Sequence, residues 1–357
     1  MRKNGRHLAI VAVLVVIGTV ITYYLLTAIY QLPEAASAEA GPIDQLFGGH
    51  FLFISFFFSL IVVFTLYSIV AFRQKPGDEE EAEQFHGNTP LEIAWTIIPL
   101  IIVIGFGIWG WNVLNEVTGE KADEMTVNVI GRQWQWVFEY PDYPDVGRAT
   151  ELVLPVDQPV VLQMESEDVL HSFWVPEFRV KQDLLPGTVT TLRITPTKID
   201  TFKTRCAEIC GTLHSRMLAD VRVVSRDDFD AWVSEMGASV ANLSPEERGA
   251  QWSAQFACAS CHSIDGSTLV GPSWLGLYGS ETMLSDGSTV IADEAYLRNS
   301  ILDPASQIVA GFENVAMPVN FEEQFTAEQD RLMDSSGVEI DIAADLVAYI
   351  QSLGSQE

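Results

Sequence analysis

Positive charge is what this chain lacks. Its 357 residues carry 20 Lys and Arg against 48 Asp and Glu, a formal net charge of −28. Lysine occurs only as Lys3, Lys75, Lys121, Lys181, Lys198 and Lys203. Such a surface repels phosphate, which argues against nucleic-acid binding or a basic membrane-surface patch and suits cationic partners. The same acidity fits a saline medium and, equally, ordinary solubility. Cysteine is sparse too: Cys206, Cys210, Cys258 and Cys261 form two tight pairs, with none elsewhere. Short-loop disulfides would account for pairs, but each pair is closely followed by a histidine, which a disulfide does not need and a cofactor site does. There is no internal repeat, and the one biased tract is the acidic cluster at residues 78–83, read as a solvated loop.

Charge of either sign is missing from three stretches, residues 8–30, 51–72 and 93–114. Each slightly exceeds the ~20 apolar residues that a membrane-spanning helix requires. The basic start, Arg2, Lys3 and Arg6, is followed by no Lys or Arg until Arg73 and Lys75. By the positive-inside rule the start and the 73–90 loop face the cytoplasm, and everything after residue 114 lies outside. Ala36-Ser37-Ala38 resembles a signal-peptide cleavage site, but the preceding apolar run is long for that role, so a retained helix is expected.

After residue 120 the pattern changes. Short alternating runs rich in Val, Thr and aromatics, at 125–130, 134–138, 160–164, 189–194 and 219–224, predict an antiparallel β-sandwich or barrel. A short exit helix at 227–236 and a polar linker at 237–244 follow. Beyond Pro245 the chain turns helical and loop-rich, with helices expected at 246–256 and 342–353. From residue 241 onward only Arg248, Arg298 and Arg331 oppose eighteen acidic residues. Three domains are therefore expected: a transmembrane region at 1–120, a β domain at 121–236, and a linker with an all-α domain at 237–357.

The segment Cys258-Ala259-Ser260-Cys261-His262 has the C-x-x-C-H spacing of covalent haem c attachment. One helical turn lets both thiols reach the two haem vinyl groups while His262 meets the iron from the same side. Zinc would need a second ligand pair, which this region lacks. Met317 lies far enough downstream to supply a thioether on the opposite face, with Met283 and Met333 as rivals, and such a ligand raises the reduction potential. Pro272 and Trp274 are expected to wall the haem and position the His262 ring. These features resemble the small class I c-type cytochromes over about the last 110 residues.

The run from Cys206 to Met217 packs Cys206, Cys210, His214 and Met217 into twelve residues, and His171 opens His171-Ser172-Phe173-Trp174-Val175-Pro176 upstream. Zinc gains little from a methionine, whereas copper favours sulfur and imidazole. Five such donors exceed the needs of one copper and suit two coppers bridged by both thiolates.

Here the sequence resembles subunit II of haem–copper cytochrome c oxidases, whose C-x-E-x-C-G-x-x-H-x-x-M loop and H-S-F-W-V-P strand are matched. The resemblance implies a cupredoxin-like fold in which His171, Cys206, Cys210, His214 and Met217 bind the dinuclear CuA centre. Glu208 would add its backbone carbonyl, its side chain reaching a magnesium or manganese ion shared with subunit I. Within Gly131-Arg132-Gln133-Trp134-Gln135-Trp136, Trp134 matches the exposed aromatic through which electrons enter. Within Thr89-Pro90-Leu91-Glu92-Ile93-Ala94-Trp95, Glu92 matches the carboxylate at the mouth of a proton channel, and Asp183 would line the outer proton exit.

The cytochrome fusion resembles caa3-type bacterial oxidases, where tethering raises the local concentration of the donor. The implied role is to carry electrons from haem c through CuA to an oxygen-reducing, proton-pumping subunit I. Subunit III and cytochrome c or another donor would be further partners, with the chain multi-pass in the bacterial inner membrane and its cofactor domains on the periplasmic face. Six histidines in all are too few for the oxygen-reducing site. A membrane-anchored CuA/haem c relay to another reductase is the alternative, though it would need neither Glu92 nor the Glu208 side chain. A quinol oxidase subunit would have lost the copper ligands.

Overall fold

The computed structural model describes residues 2–74, 77, 86–315 and 317–354. The acidic cluster at 78–83 and Lys75 lie outside the described residues. The chain divides into two compact units, Met1–Glu120 with Glu177–Arg179, and Lys121–Pro176 with Val180–Glu357.

The first unit is built on α1 (Arg2–Ile29), α2 (Ala40–Ala71) and α3 (Thr89–Thr118). All three are long and apolar enough to cross a membrane. Their large side chains are mostly exposed, as at Leu25, Ile61 and Ile101. Helices apolar on every side need a surrounding of lipid or protein, and helix is the one open structure whose backbone satisfies itself there. α1 meets α2 through small residues: Gly18 lies against Ser59, and the Thr22 and Ser59 hydroxyls are 3.3 Å apart. Such positions let two backbones approach closely. The α3 N-terminus is capped by Asn88, whose side chain accepts from Leu91 N, while the exposed Glu92 carboxylate accepts from Asn88 N at 2.9 Å. The segment holding Ala36-Ser37-Ala38 is packed. Ala36 N donates to Glu177 O, Ser37 Oγ to Phe178 O, and the Arg179 guanidinium grips Asp44 at 2.8 Å.

The second unit begins with a β-sandwich. One sheet has the order β3-β2-β1-β5-β8, from β1 (Met125–Arg132), β2 (Gln135–Glu139), β3 (Arg148–Ala149), β5 (Val160–Ser166) and β8 (Thr190–Ile194). The other runs β4-β10-β9-β6-β7, from β4 (Leu152–Pro155), β6 (His171–Val175), β7 (Val180–Leu184), β9 (Asp200–Cys206) and β10 (Leu218–Val224). Alternation along β1 and β5 buries Val127, Val129, Leu162 and Met164. The sheets meet where Trp136 and Phe138 of one pack edge-on against Phe173 of the other. Fully burying side chains of this size contributes about 1.5–3 kcal/mol each, which secures this core without a cofactor. Two pairings differ from the antiparallel expectation: β1 with β5 and β10 with β4 are parallel. Alternation has period two in either direction, so strand sense is invisible in the pattern.

The rest of the unit is helical: α4 (Arg226–Asn242), α5 (Pro245–Gln255), α6 (Cys258–Cys261), α7 (Glu294–Leu302), α8 (Phe321–Ser336) and α9 (Ile342–Ser352). The helices predicted at 246–256 and 342–353 appear as α5 and α9. Two local differences stand out. The stretch expected as a polar linker from residue 237 is mostly helix, because α4 runs on to Asn242 from its Ser225 cap. The region expected to be all-α also contains a hairpin, β11 (Glu281–Met283) with β12 (Thr289–Ile291). α5 crosses α9 so closely that a Cβ on Gly249 would lie 2.1 Å from Asp345 O. At that crossing the buried Asp345 carboxylate accepts two bonds of 2.7 Å from Arg248 and one of 3.0 Å from Trp252 Nε1. Trp252, Phe256, Trp274, Leu346 and Ile350 form the core around it.

Candidate metal centre

The loop from Cys206 to Met217 leaves β9 and returns into β10, and Cys206 N donates to Met217 O at 3.2 Å to close it. β6 lies beside β9 in the same sheet, with Phe173 opposite Cys206 and Ala207 N donating to Ser172 O. The ladder thus carries His171 to the base of the loop from 35 residues away in sequence. All four cysteines are free thiols.

Cys206 Sγ and Cys210 Sγ stand 3.7 Å apart. Cys206 Sγ lies 3.9 Å from His171 Nδ1 and 3.1 Å from Glu208 O. Cys210 Sγ lies 3.5 Å from His214 Nδ1 and 3.7 Å from Met217 Sδ. Each thiol therefore has one imidazole and one weaker donor beside it. His171 and Met217 are wholly buried, Cys206 and Cys210 nearly so, and His214 half-buried. The Glu208 side chain and Ile209 are exposed.

Charge is shared unevenly between the thiols. Burial pushes Cys206 up, but hydrogen bonds with His171 and with the backbone of Glu208 and Ser172 outweigh it and hold the thiol down at about 6. Cys210 is pushed up to about 12 by burial and by the neighbouring Cys206 thiolate. Burial would lower His171, yet hydrogen bonds with Asp168 and Cys206 raise it to about 9. A bound cation would remove the need for these protons, since thiolate and neutral imidazole are the ligating forms.

Residues outside the predicted set support the loop. Asp168 Oδ1 takes the far His171 nitrogen, Nε2, at 2.8 Å, which fixes the ring with Nδ1 toward Cys206. An Asp three residues before a His is a faint sequence signal, and Asp168 was not foreseen. Trp134 Nε1 and Gln133 Nε2 both donate to Cys210 O, at 3.1 and 2.6 Å, so the half-buried Trp134 ring is joined to the loop by one hydrogen bond. Asp183 Oδ1 accepts from Ser172 Oγ at 2.7 Å, beside His171.

The second cysteine pair sits on one helical turn. α6 holds Cys258 and Cys261, and His262 N donates to Cys258 O at 2.9 Å. Pro272 O accepts from His262 Nδ1 at 2.8 Å, which leaves Nε2 as the free ring nitrogen. Trp274 stacks on the imidazole at 5.1 Å, and a Cβ on Gly271 would lie 2.7 Å from the ring. Burial lowers the His262 pKa and raises that of Cys258 to about 12, so the imidazole is neutral and the thiol protonated. Met317 is half-buried against the core cluster that includes Cys258 and Trp274. Glu92 belongs to the helical first unit, and both cysteine pairs belong to the second.

Comparison with known proteins gives matches to two family models. Residues 145–224 match "Cytochrome C oxidase subunit II, periplasmic domain", and residues 27–113 match "Cytochrome C oxidase subunit II, transmembrane domain". The chain is similar to the cytochrome c oxidase subunit 2 of Alkalihalophilus pseudofirmus, with 34% identity over 60% of this chain and 66% of that protein. It is similar to that of Thermostichus vulcanus, with 30% identity over 61% of this chain and 82% of that protein. Among solved structures, the periplasmic domain of subunit II of cytochrome oxidase of Bradyrhizobium japonicum is 32% identical, covering 33% of this chain and 95% of that one with a TM-score of 0.31.

Proposed function

Because the chain belongs to the cytochrome c oxidase subunit II family, and so works with other subunits in an oxidoreductase complex, we propose that it relays electrons from its own haem c to a dinuclear copper centre and on to subunit I. The observation that carries the copper part is the paired donor set: two free thiols 3.7 Å apart, each flanked by an imidazole Nδ1 and by a thioether or a carbonyl. His171, Cys206, Cys210, His214, Met217 and the Glu208 carbonyl hold the metals. A zinc site would leave the buried thioether of Met217 unused. Copper held this way supplies a one-electron store spread over two metals and two thiolates. The protein's part is rigidity: donors fixed by β6, β9 and the loop closure need to move little when the charge changes. Trp134, bonded to the Cys210 carbonyl, is where electrons reach the centre.

Cys258 and Cys261 would hold a covalently bound haem, with His262 Nε2 and Met317 as the side chains that would ligate its iron, and the group would supply a one-electron carrier there. The fit rests on the Nδ1 bond to Pro272 O, which fixes the ring and leaves Nε2 for the iron. The helical part is then a class I cytochrome c domain fused to a CuA domain, as in caa3-type oxidases. The exposed Glu208 side chain shares a magnesium or manganese ion with subunit I. Glu92, at the cytoplasmic end of α3, stands at the mouth of a proton channel. The chain is multi-pass in the bacterial inner membrane with both cofactors on the outer face, by the distribution of Arg and Lys. Subunit III and cytochrome c or another donor complete its partners.

Optical and EPR spectra with metal analysis of the oxidase, purified from cells able to attach haem c, test this reading. Reduced c-type bands on this chain, a mixed-valence copper signal and two coppers lost on removing this chain are expected. Zinc or no metal at Cys206 and Cys210 would overturn the copper assignment, and absence of c-type bands the haem assignment.

A further inference from the structure

The turn between β1 and β2 joins two functions in four consecutive residues. Its middle pair, Gln133 and Trp134, holds the Cys210 carbonyl. Its outer pair reaches the helical part of the same unit. Arg132 Nη1 donates to Gln324 Oε1 at 2.7 Å, Arg132 Nη2 to Gln255 O at 2.8 Å, and Gln135 Nε2 to Ala254 O. Ala254 and Gln255 close α5, three residues before Cys258. Arg132 and Gln255 are each 8% exposed, so this contact is nearly dry. A second anchor joins Arg331 Nη1 to Pro144 O at 2.8 Å.

Hydrogen bonding, not ion pairing, joins Arg132 to the helical part. The three arginines beyond residue 241 each pair with an acid of their own part, Asp345, Asp341 and Glu328, and Arg331 also reaches Pro144 O. Arg132 keeps its own counter-charge in the sandwich, Glu167 at 3.7 Å, and meets the helical part through the neutral oxygens of Gln324 and Gln255. Arginine suits the place because its rigid fork bonds Gln324 and Gln255 at once, which an ammonium on a flexible stem does not reproduce.

We propose that Arg132 is a positioning residue for electron transfer within the chain: the turn from Arg132 to Gln135 seats the Cys258 end of the haem domain against the Cys210 loop and sets the gap the electron crosses. This rests on the reading of Cys258–His262 as the haem site and of Cys206–Met217 as the copper site. In the step, one electron leaves the ferrous haem, which becomes ferric, and enters the oxidised copper pair. No covalent bond changes and no proton crosses the turn.

The test compares Arg132→Met, Arg132→Lys and Gln324→Ala with wild type in the purified oxidase, using two readouts. Hydrogen exchange of the amides at 132–135 and 254–258 reports seating, and flash-induced transfer from haem to copper reports the gap. Arg132→Met is expected to lose protection in both segments and to slow transfer about tenfold, equivalent to about 1.4 kcal/mol of seating. The haem and copper spectra should stay unchanged, and Arg132→Lys should fail to restore the rate. Should Arg132→Met not accumulate, Gln324→Ala removes the Nη1 bond from the other side and should show the same effects more weakly. Wild-type protection and wild-type rate in the variants would overturn the proposal. A wild-type protein without c-type bands or copper signal would instead sink the cofactor reading, while the exchange data still decide whether the turn is the seat.

Discussion

The two cysteine pairs occupy opposite kinds of scaffold. In the sandwich, His171 and Cys206 come from distant segments and become neighbours because β6 and β9 pair, and the Cys206–Met217 bond then folds the loop back over them. In the helical part, Cys258, Cys261 and His262 are adjacent in sequence, and one turn of α6 supplies their spacing. The sheet does the assembling at the first site, and the chain itself does it at the second. A sheet-built site is held by ladders and by the core of Trp136, Phe138 and Phe173 behind it. A motif-built site depends on short helices crossing at the right place, here α5 over α9. Damage to the Cys206–Met217 donors should therefore leave the helical part intact, and damage to the α5–α9 crossing should leave the Cys206–Met217 loop intact.

The largest effect expected is on copper itself. Cys210→Ser removes the thiol that faces His214, Met217 and Cys206, and on the proposed assignment metal analysis with EPR should show copper lost while c-type bands remain. Loss of both would break the comparison. Next, Arg248→Met strands the Asp345 carboxylate, which is 3% exposed, and should destabilise the helical part by about 3–5 kcal/mol. Hydrogen exchange should show it in α9, with β1, β5 and β9 unaffected. Gly249→Ala drives a methyl toward the Asp345 carbonyl and should cost about 1–3 kcal/mol in the same measurement.

The smallest effect is at the rim. The Arg298 and Asp341 side chains are 43% and 51% exposed, so Arg298→Ala should cost less than about 1 kcal/mol. Burial would raise the Asp341 pKa, but hydrogen bonds from Arg298 and from Ala344 N hold it below its usual value. A depressed carboxylate stabilises the fold above its unfolded pKa of about 3.9 and loses that contribution as pH falls through the lower folded value. Unfolding followed from about pH 5 downward should show a shallower loss in Arg298→Ala than in wild type. An equal slope would remove the pair from the account of stability.

Legibility in the sequence followed the same division. α5 and α9 were readable because their pattern is local, a helical apolar period. The three apolar helices were readable because a bilayer demands length and an absence of charge. β1, β5 and β10 were visible in their alternation. β9, which delivers Cys206, was not, since Thr201, Lys203 and Arg205 on its exposed face alternate with Phe202, Thr204 and Cys206, and only burial distinguishes the two faces. The continuation of α4 through the small polar residues after Met236 was hidden because Gly, Ala and Ser there read as a linker.

The sequence by itself determined which donors exist and how many: two cysteine pairs with nearby histidines, one methionine beside the first pair, and three charge-free spans. These are one-dimensional facts, set by residue type and spacing along the backbone. Only the tertiary structure decided that His171 faces Cys206, that Asp168 turns its ring, and that Arg132 reaches across to Gln255 and Gln324 beside Cys258. Those contacts join residues 123 and 192 positions apart, or strands whose register is settled by which face is buried. No local pattern encodes them, because the free energy that selects them comes from core packing shared by the whole unit.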